Sequence, residues 1–320
     1  MAEIGKDIAR AKQLLEAGEL VGLPTETVYG LAGNALNLDA VTKIFETKNR
    51  PSFDPLIIHT GSMEQISQYT TSIDEELKEL ANKFWPGPLT LLLEKKSIIP
   101  DLVTSGLDYV AVRVPDHPMA MELLLSLDFP LAAPSANPFG YISPTKAHHV
   151  QDQLGDKIPY ILDGGSSEVG LESTIVGIEQ GQTIIYRLGG TEVSAIEKVV
   201  GKVLILPQSS SNPKSPGMLK SHYAPRKPFI LGNLEELAEK YAASGVKFAV
   251  LSFDKDYSFL KASEKFVLSK QRDYREAAKN LFAGMRYLDQ ADVSVILAEE
   301  LPEEHFGKAI NDRLRRAAAK

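Results

Sequence analysis

Two short stretches hold the residue types that bind anions: Leu23-Pro-Thr-Glu-Thr-Val-Tyr-Gly-Leu31 and Lys48-Asn-Arg-Pro-Ser-Phe-Asp-Pro-Leu56. The first reads as a strand end running into a hydroxyl-rich turn that opens a helix. Such a turn would aim hydroxyls and free backbone N–H groups at one point. The second is expected to set Lys48 and Arg50 on the same side of an extended segment stiffened by Pro51 and Pro55, a pair suited to a polyphosphate. Taken singly, the two stretches read equally well as a helix cap and a proline-rich loop.

Further along, Arg113 lies in the apolar run Val110 to Val114, flanked by Ala111, Val112 and Val114. An arginine half-buried in a strand requires an anion, either a ligand or a structural ion-pair partner. Pro134-Ser-Ala-Asn-Pro-Phe-Gly-Tyr-Ile-Ser143 follows a predicted strand at Leu131 to Ala133. Its small hydroxyl and amide residues would let phosphate or carboxylate oxygens approach the backbone. A capped turn, with Ser143 ahead of Pro144 and a helix at 145–153, fits the same residues. Gly170-Leu-Glu-Ser-Thr-Ile-Val176 again puts hydroxyls at a strand start, and Tyr186-Arg187-Leu-Gly-Gly190 presents an arginine at a strand end.

Several chemistries are excluded. The chain has no cysteine, hence no disulfide, thiolate zinc site or Cys nucleophile. It lacks the P-loop, the dinucleotide fingerprint and H-E-x-x-H. His148 and His149 are adjacent and splay on a helix, and no Ser-His-Asp constellation is evident. If the protein uses ATP, dispersed Lys, Arg, Ser and Asn groups hold it.

The elements that must position these groups follow from periodicity. Helices are predicted at 7–17, 39–47, 75–84, 117–127, 145–153 and 192–200. Strands are predicted at 20–23, 55–59, 89–93, 110–114, 131–133, 160–162, 174–178 and 183–186. Their irregular alternation predicts a twisted mixed sheet with helices on its faces. The Ser- and Pro-rich stretch from Pro207 to Lys227 has linker composition. After it, strands at 229–231, 248–253 and 293–297 separated by helices at 234–243, 273–289 and 306–318 predict a small parallel α/β domain.

A formal net charge of −7 favours a small-molecule substrate over a nucleic acid. The basic cluster Arg313, Arg315, Arg316 and Lys320 reads as a helix end favoured by its dipole, or as a nucleic-acid patch. No segment approaches the ~20 apolar residues of a membrane helix, and the Met-Ala-Glu-Ile start carries no signal region, so a cytoplasmic location without membrane partners is expected.

Together these motifs resemble the threonylcarbamoyl-AMP synthase family in its long form, over essentially the whole chain. The resemblance implies an α/β architecture: a YrdC-like catalytic domain at 1–206, a linker serving as a lid at 207–227, and a small Rossmann-like α/β domain at 228–320. The implied reaction joins L-threonine, bicarbonate and ATP into threonylcarbamoyl-AMP, pyrophosphate and water. It supplies the threonylcarbamoyl group for N6-threonylcarbamoyladenosine in tRNA. A downstream threonylcarbamoyl transferase would receive the product, and binding of double-stranded RNA or tRNA is a further implied property. By resemblance the threonine site comprises Thr27, His59, Arg113, Ala133 and Ser173. ATP, with Mg²⁺, would be held by Lys48, Arg50, Asp54, Tyr109, Ser135, Asn137, Ser143, Arg187 and Tyr223, with no metal ligands assigned. Asp54 stands where the family commonly has Asn, and Tyr109 where a small hydroxyl is commoner, so Asp54 either faces away or touches a metal. Ser215 to Pro225 is expected to fold over the nucleotide. Relatives in hydrogenase maturation resemble the first domain but carry Cys-rich zinc modules, which this chain lacks.

Overall fold

Apolar runs in the first two-thirds of the chain pair into one eleven-stranded sheet. Its strands are β1 (Glu3–Gly5), β2 (Val21–Leu23), β3 (Gly30–Asn34), β4 (Ile57–His59), β5 (Leu89–Glu94), β6 (Tyr109–Arg113), β7 (Leu131–Ala132), β8 (Tyr160–Leu162), β9 (Thr174–Glu179), β10 (Gln182–Arg187) and β11 (Leu204–Ile205). They run in the order β1-β8-β2-β3-β7-β4-β6-β5-β9-β10-β11. Pairing is mixed, parallel for β4 with β6 and for β5 with β9, antiparallel for β5 with β6 and for β9 with β10. This computed structural model describes residues 1–206 and 222–319.

Side-chain alternation divides the central strands between two surfaces. Ile58, Leu91, Val112 and Val176 enter the main core with Ile44, Leu77, Leu80 and Ile196 from the helices Leu38–Lys48, Glu75–Phe84 and Val193–Val200. Ile57, Ala111, Ile175, Ile184 and Tyr186 form a separate buried cluster with Leu92 against it. Leu92 lies opposite Ala111 in the β5–β6 register, and His59 lies opposite Arg113 in β4–β6. The face that carries the apolar cluster therefore also carries His59 and Arg113.

One expected element is different. The turn after β2 leads not into a helix but into β3, which pairs antiparallel with β2 through Val21↔Ala32 and Leu23↔Gly30. Gly30, Ala32 and Gly33 give β3 no apolar alternation, which hid it from periodicity. A Cβ on Gly33 would stand 2.8 Å from Leu20 Cδ2 and 3.2 Å from Ile44 Cδ1, so the bare backbone is what lets the helix Leu38–Lys48 pack closely. β1 and β11 escaped notice because they are short and largely exposed.

Contacts divide the chain into two units. The first comprises Met1–Phe139, Ser143–Glu168 and Glu172–Leu219; the second comprises Gly140–Ile142, Val169–Leu171 and Lys220–Lys320. The linker expected at 207–227, with its lid, lies outside the described residues up to 221. The second unit contains β12 (Phe229–Leu231), β13 (Phe248–Ser252), β14 (Glu264–Val267) and β15 (Val295–Ala298). They form a four-stranded, all-parallel sheet in the order β12-β15-β13-β14. The edge strand β14 was not anticipated: its Glu-Lys start disguises it.

Among the described residues, the C-terminal arginines are each held by an acid. Arg313 and Arg316 are buried, and Asp312 lies 3.0 Å from each. Arg315 is held by Glu300 at 2.7 Å and Glu303 at 3.0 Å.

Asn311 is buried and closes both backbone groups of Leu301, accepting from its N–H (2.8 Å) and donating to its carbonyl (2.7 Å). Asn311→Ala strands both groups and should cost about 2–4 kcal/mol. Urea denaturation followed in the full chain checks this, with a C-terminal transition shifted to lower urea.

Candidate active site

The turn Thr25 to Thr27, between β2 and β3, is built by its own hydroxyls. Thr25 Oγ1 donates to the Val28 carbonyl at 2.6 Å and shares a hydrogen bond with Thr27 Oγ1 at 2.8 Å. The turn meets Arg113 at the end of β6. Arg113 donates from Nη1 to Thr27 Oγ1 at 2.8 Å and from Nε to the Gly87 carbonyl at 3.2 Å, and its Nη2 lies 2.6 Å from Glu26 Oε1. Both charged side chains are more than nine-tenths buried. The anion that an arginine in an apolar strand demands is thus, here, Glu26.

His59, next to Arg113 in the sheet, is also buried. Burial first, then the Arg113 charge, with a smaller share from Arg187, pushes its imidazole from 6.5 down to about 3. The ring is neutral at physiological pH, and its Nδ1 has no hydrogen-bond partner among the described residues. Ser173, just before β9, joins this group. Its Oγ shares a 2.7 Å hydrogen bond with Thr90 and accepts from Arg187 Nη2 at 3.0 Å, while its carbonyl accepts from Arg187 Nε at 3.0 Å. A Cβ on Gly189 would fall 2.2 Å from the Glu172 carbonyl oxygen and 2.5 Å from the Ser173 carbonyl carbon. Only glycine lets the turn after β10 close on Ser173. Ala133 is buried, and its N–H is given to the Ile57 carbonyl at 3.1 Å.

The second group forms differently from the extended segment expected of it. Lys48 is the last residue of a helix, and Asn49 ends that helix in the left-handed region at φ 52°. The two cations therefore do not share a strand face; the helix end turns them inward. Lys48 is fully buried and donates to the carbonyls of Ser135 (2.5 Å) and Asn137 (2.6 Å), while Phe139 N–H donates back to the Lys48 carbonyl at 2.7 Å. Burial, then the neighbouring Arg50, lowers its ammonium well below the usual lysine range, and Asp54 opposes the shift. Arg50 lies 2.9 Å from Asp54 Oδ2 and donates to the carbonyls of Asp54 and Pro55. Asp54 is thus an internal counter-ion, turned toward Arg50.

Ser143 is not a helix cap: its hydroxyl donates to Glu172 at 2.6 Å, and the helix begins at Ala147 behind Lys146. Tyr109 starts β6, four residues and about 13 Å from Arg113 along the strand, but on the same face by alternation. It is half exposed and lines a cavity of about 510 Å³ with Leu92, Leu107, Ile178, Glu179 and Tyr186. Tyr223 belongs to the C-terminal unit, where it is buried, stacked on Phe282 at 5.4 Å and covered by the Arg313 guanidinium at 5.4 Å.

Sequence reasoning missed Glu26, Thr90 and Glu172. Glu26 was detectable: it is the charged residue between two threonines in a stretch otherwise apolar on both sides.

His59 links the site to pH. Its folded value lies below its unfolded one, so its contribution is complete above about 6.5 and is lost as pH falls toward 3, by up to about 1.4 kcal/mol per unit. Urea unfolding of the wild type should weaken over that window more steeply than that of His59→Gln. For Lys48→Met, the loss of the donor to the Asn137 and Ser135 carbonyls, the first buried and the second partly so, should cost about 2–4 kcal/mol, read as a lower urea midpoint; an unchanged midpoint would make Lys48 a ligand group only.

Comparison with known proteins supplies the family. Residues 13–189 match the Sua5/YciO/YrdC model, described as telomere recombination, and residues 191–319 match the threonylcarbamoyl-AMP synthase C-terminal domain. A threonylcarbamoyl-AMP synthase of Pyrococcus abyssi is 42% identical over 96% of this chain and 93% of its own length. One of Bacillus subtilis is 39% identical over 97% and 92%. The crystal structure of P. abyssi Sua5 complexed with L-threonine superposes with a TM-score of 0.93 at 40% identity, covering 99% of this chain and 97% of that one. The chain belongs to the threonylcarbamoyl-AMP synthase family, in its two-domain form.

Proposed function

We propose that this protein is an L-threonylcarbamoyladenylate synthase, a nucleotidyltransferase that converts L-threonine, bicarbonate and ATP into threonylcarbamoyl-AMP, pyrophosphate and water. The observation that carries the reading is the buried group of Arg113, Glu26, Thr27 and His59 on one sheet face. A guanidinium forks onto a carboxylate, and a neutral imidazole beside it pairs with a hydroxyl, so an amino acid with a side-chain hydroxyl is the matching ligand. Its carboxylate lies on Arg113, its hydroxyl toward His59 and Ser173. That a P. abyssi relative binds L-threonine supports the assignment.

ATP lies along the same face. The strip Ile57, Ala111, Ile175, Ile184 and Tyr186, ending at the cavity beside Tyr109, suits a purine, with Lys48, Arg50 and Arg187 near the phosphates. Among the described residues no group of three or more His, Cys, Asp or Glu side chains could hold a metal, and Asp54 faces Arg50. Magnesium enters with ATP as part of the substrate, carried on its phosphates. The carbamate of threonine attacks the α-phosphorus and pyrophosphate leaves, while the site supplies orientation and fixed charge. The product is a reactive anhydride, so a separate transferase must consume it, passing the threonylcarbamoyl group to adenosine in tRNA.

A pyrophosphate-release assay with single omissions tests the reading. Release should require L-threonine, bicarbonate and ATP together and match threonylcarbamoyl-AMP one for one. Release of phosphate or ADP, or turnover without bicarbonate, would overturn it.

A further inference from the structure

We propose that Glu26 is the catalytic base of the reaction: it receives the α-ammonium of the amino-acid substrate and removes the proton that blocks attack on bicarbonate. The inference rests on the synthase reading above and names the group that activates its amine.

Geometry leads to Glu26. Its side chain is more than nine-tenths buried with Oε1 2.6 Å from Arg113 Nη2, yet neither carboxylate oxygen receives a hydrogen bond among the described residues. The contact lies off the N–H direction, an ion contact rather than a hydrogen bond. Arg113 meanwhile spends Nη1 on Thr27 and Nε on the Gly87 carbonyl. A substrate carboxylate arriving at Arg113 therefore meets a guanidinium whose other neighbour is an under-used carboxylate. In an α-amino acid the ammonium and carboxylate share one carbon, so a carboxylate held by Arg113 brings the ammonium to Glu26.

The other candidates are occupied with different work. His59, lowered first by burial and then by the Arg113 charge, is a neutral ring with no negative charge to receive an ammonium. Lys48 donates to two carbonyls. Asp54 pairs with Arg50, and Glu172 accepts the hydrogen bond of the Ser143 hydroxyl.

The step balances. Glu26 takes one proton from the ammonium, leaving the free amine. The nitrogen lone pair forms the N–C bond to bicarbonate carbon. The carbon–oxygen bond to hydroxide breaks, and that hydroxide leaves as water with a second amine proton. The carbamate keeps the negative charge that attacks phosphorus, and the proton on Glu26 passes to solvent.

Glu26→Gln keeps the size and polarity of the side chain but cannot accept the proton. With all three substrates at pH 7, its kcat for pyrophosphate release should fall by about 100-fold or more, within the 10²–10⁴ expected of a general base. The KM for ATP should stay within about threefold, because the base does not act on the nucleotide. Raising the pH from 7 to 9 should restore the variant by up to about tenfold per unit as dissolved threonine becomes free amine, with a shallower rise in the wild type. A variant rate near that of the wild type at pH 7, or a loss equal at every pH, would overturn the proposal in favour of a structural counter-ion. Wild-type release in the same assay separates the two failures: release at near-equal rates by both proteins at pH 7 sinks only the role of Glu26, whereas none by the wild type sinks the function and this role with it. Should the glutamine variant not fold, Glu26→Asp, which keeps the charge but withdraws the carboxylate, carries the comparison. It should lose kcat with the same pH rescue, and a wild-type rate would overturn the role.

Discussion

A guanidinium cannot escape burial by losing its proton, so Arg113 at the end of β6 must be met by an anion and by acceptors. Much of the surrounding chain answers that demand. The β2–β3 turn brings Glu26 and Thr27, the residues ahead of β5 bring the Gly87 carbonyl, and β4 brings an imidazole kept neutral by burial and then by the same charge. A group organised around one permanent charge has its dipoles fixed in place by the fold.

The same economy governs the second group of cations. Lys48 and Arg50 are tied to backbone carbonyls of the chain they order, and Arg50 has its own acid in Asp54. Lys48 thereby fixes the path of 135–137, and Phe139 N–H fixes the end of the helix in return. These cations serve structure and field together. A neutral amide at 54 would leave Arg50 with more charge to offer a phosphate, so the aspartate reduces the positive potential of this pocket while holding the arginine still.

Polar and apolar groups share the sheet face because strand alternation repeats every second residue. Arg113, Ala111 and Tyr109 point the same way from β6, and the β4 and β5 registers extend this with His59, Ile57 and Leu92. One surface thus grades from a charged end to an aromatic cavity.

Much of this protein was legible from residue order alone. Periodicity and breakers marked most helices and central strands, the texture change from Pro207 to Lys227 set off a second α/β region, and Arg113 declared itself as a charge in an apolar strand needing an anion. What the sequence could not decide was which anion. Glu26 and Arg113 are 87 residues apart, and only the pairing that runs from the β2–β3 hairpin through β7 and β4 to β6 brings them together. The helix expected after Thr27 failed for a related reason: Gly30, Ala32 and Gly33 carry no strand pattern, and β3 exists because β2 and β7 offer it hydrogen bonds and Ile44 needs the space that glycine leaves. Local chemistry determined which residues could act. Long-range hydrogen bonding and burial decided which of them meet, because a charge taken out of water accepts only the partners that the fold places beside it.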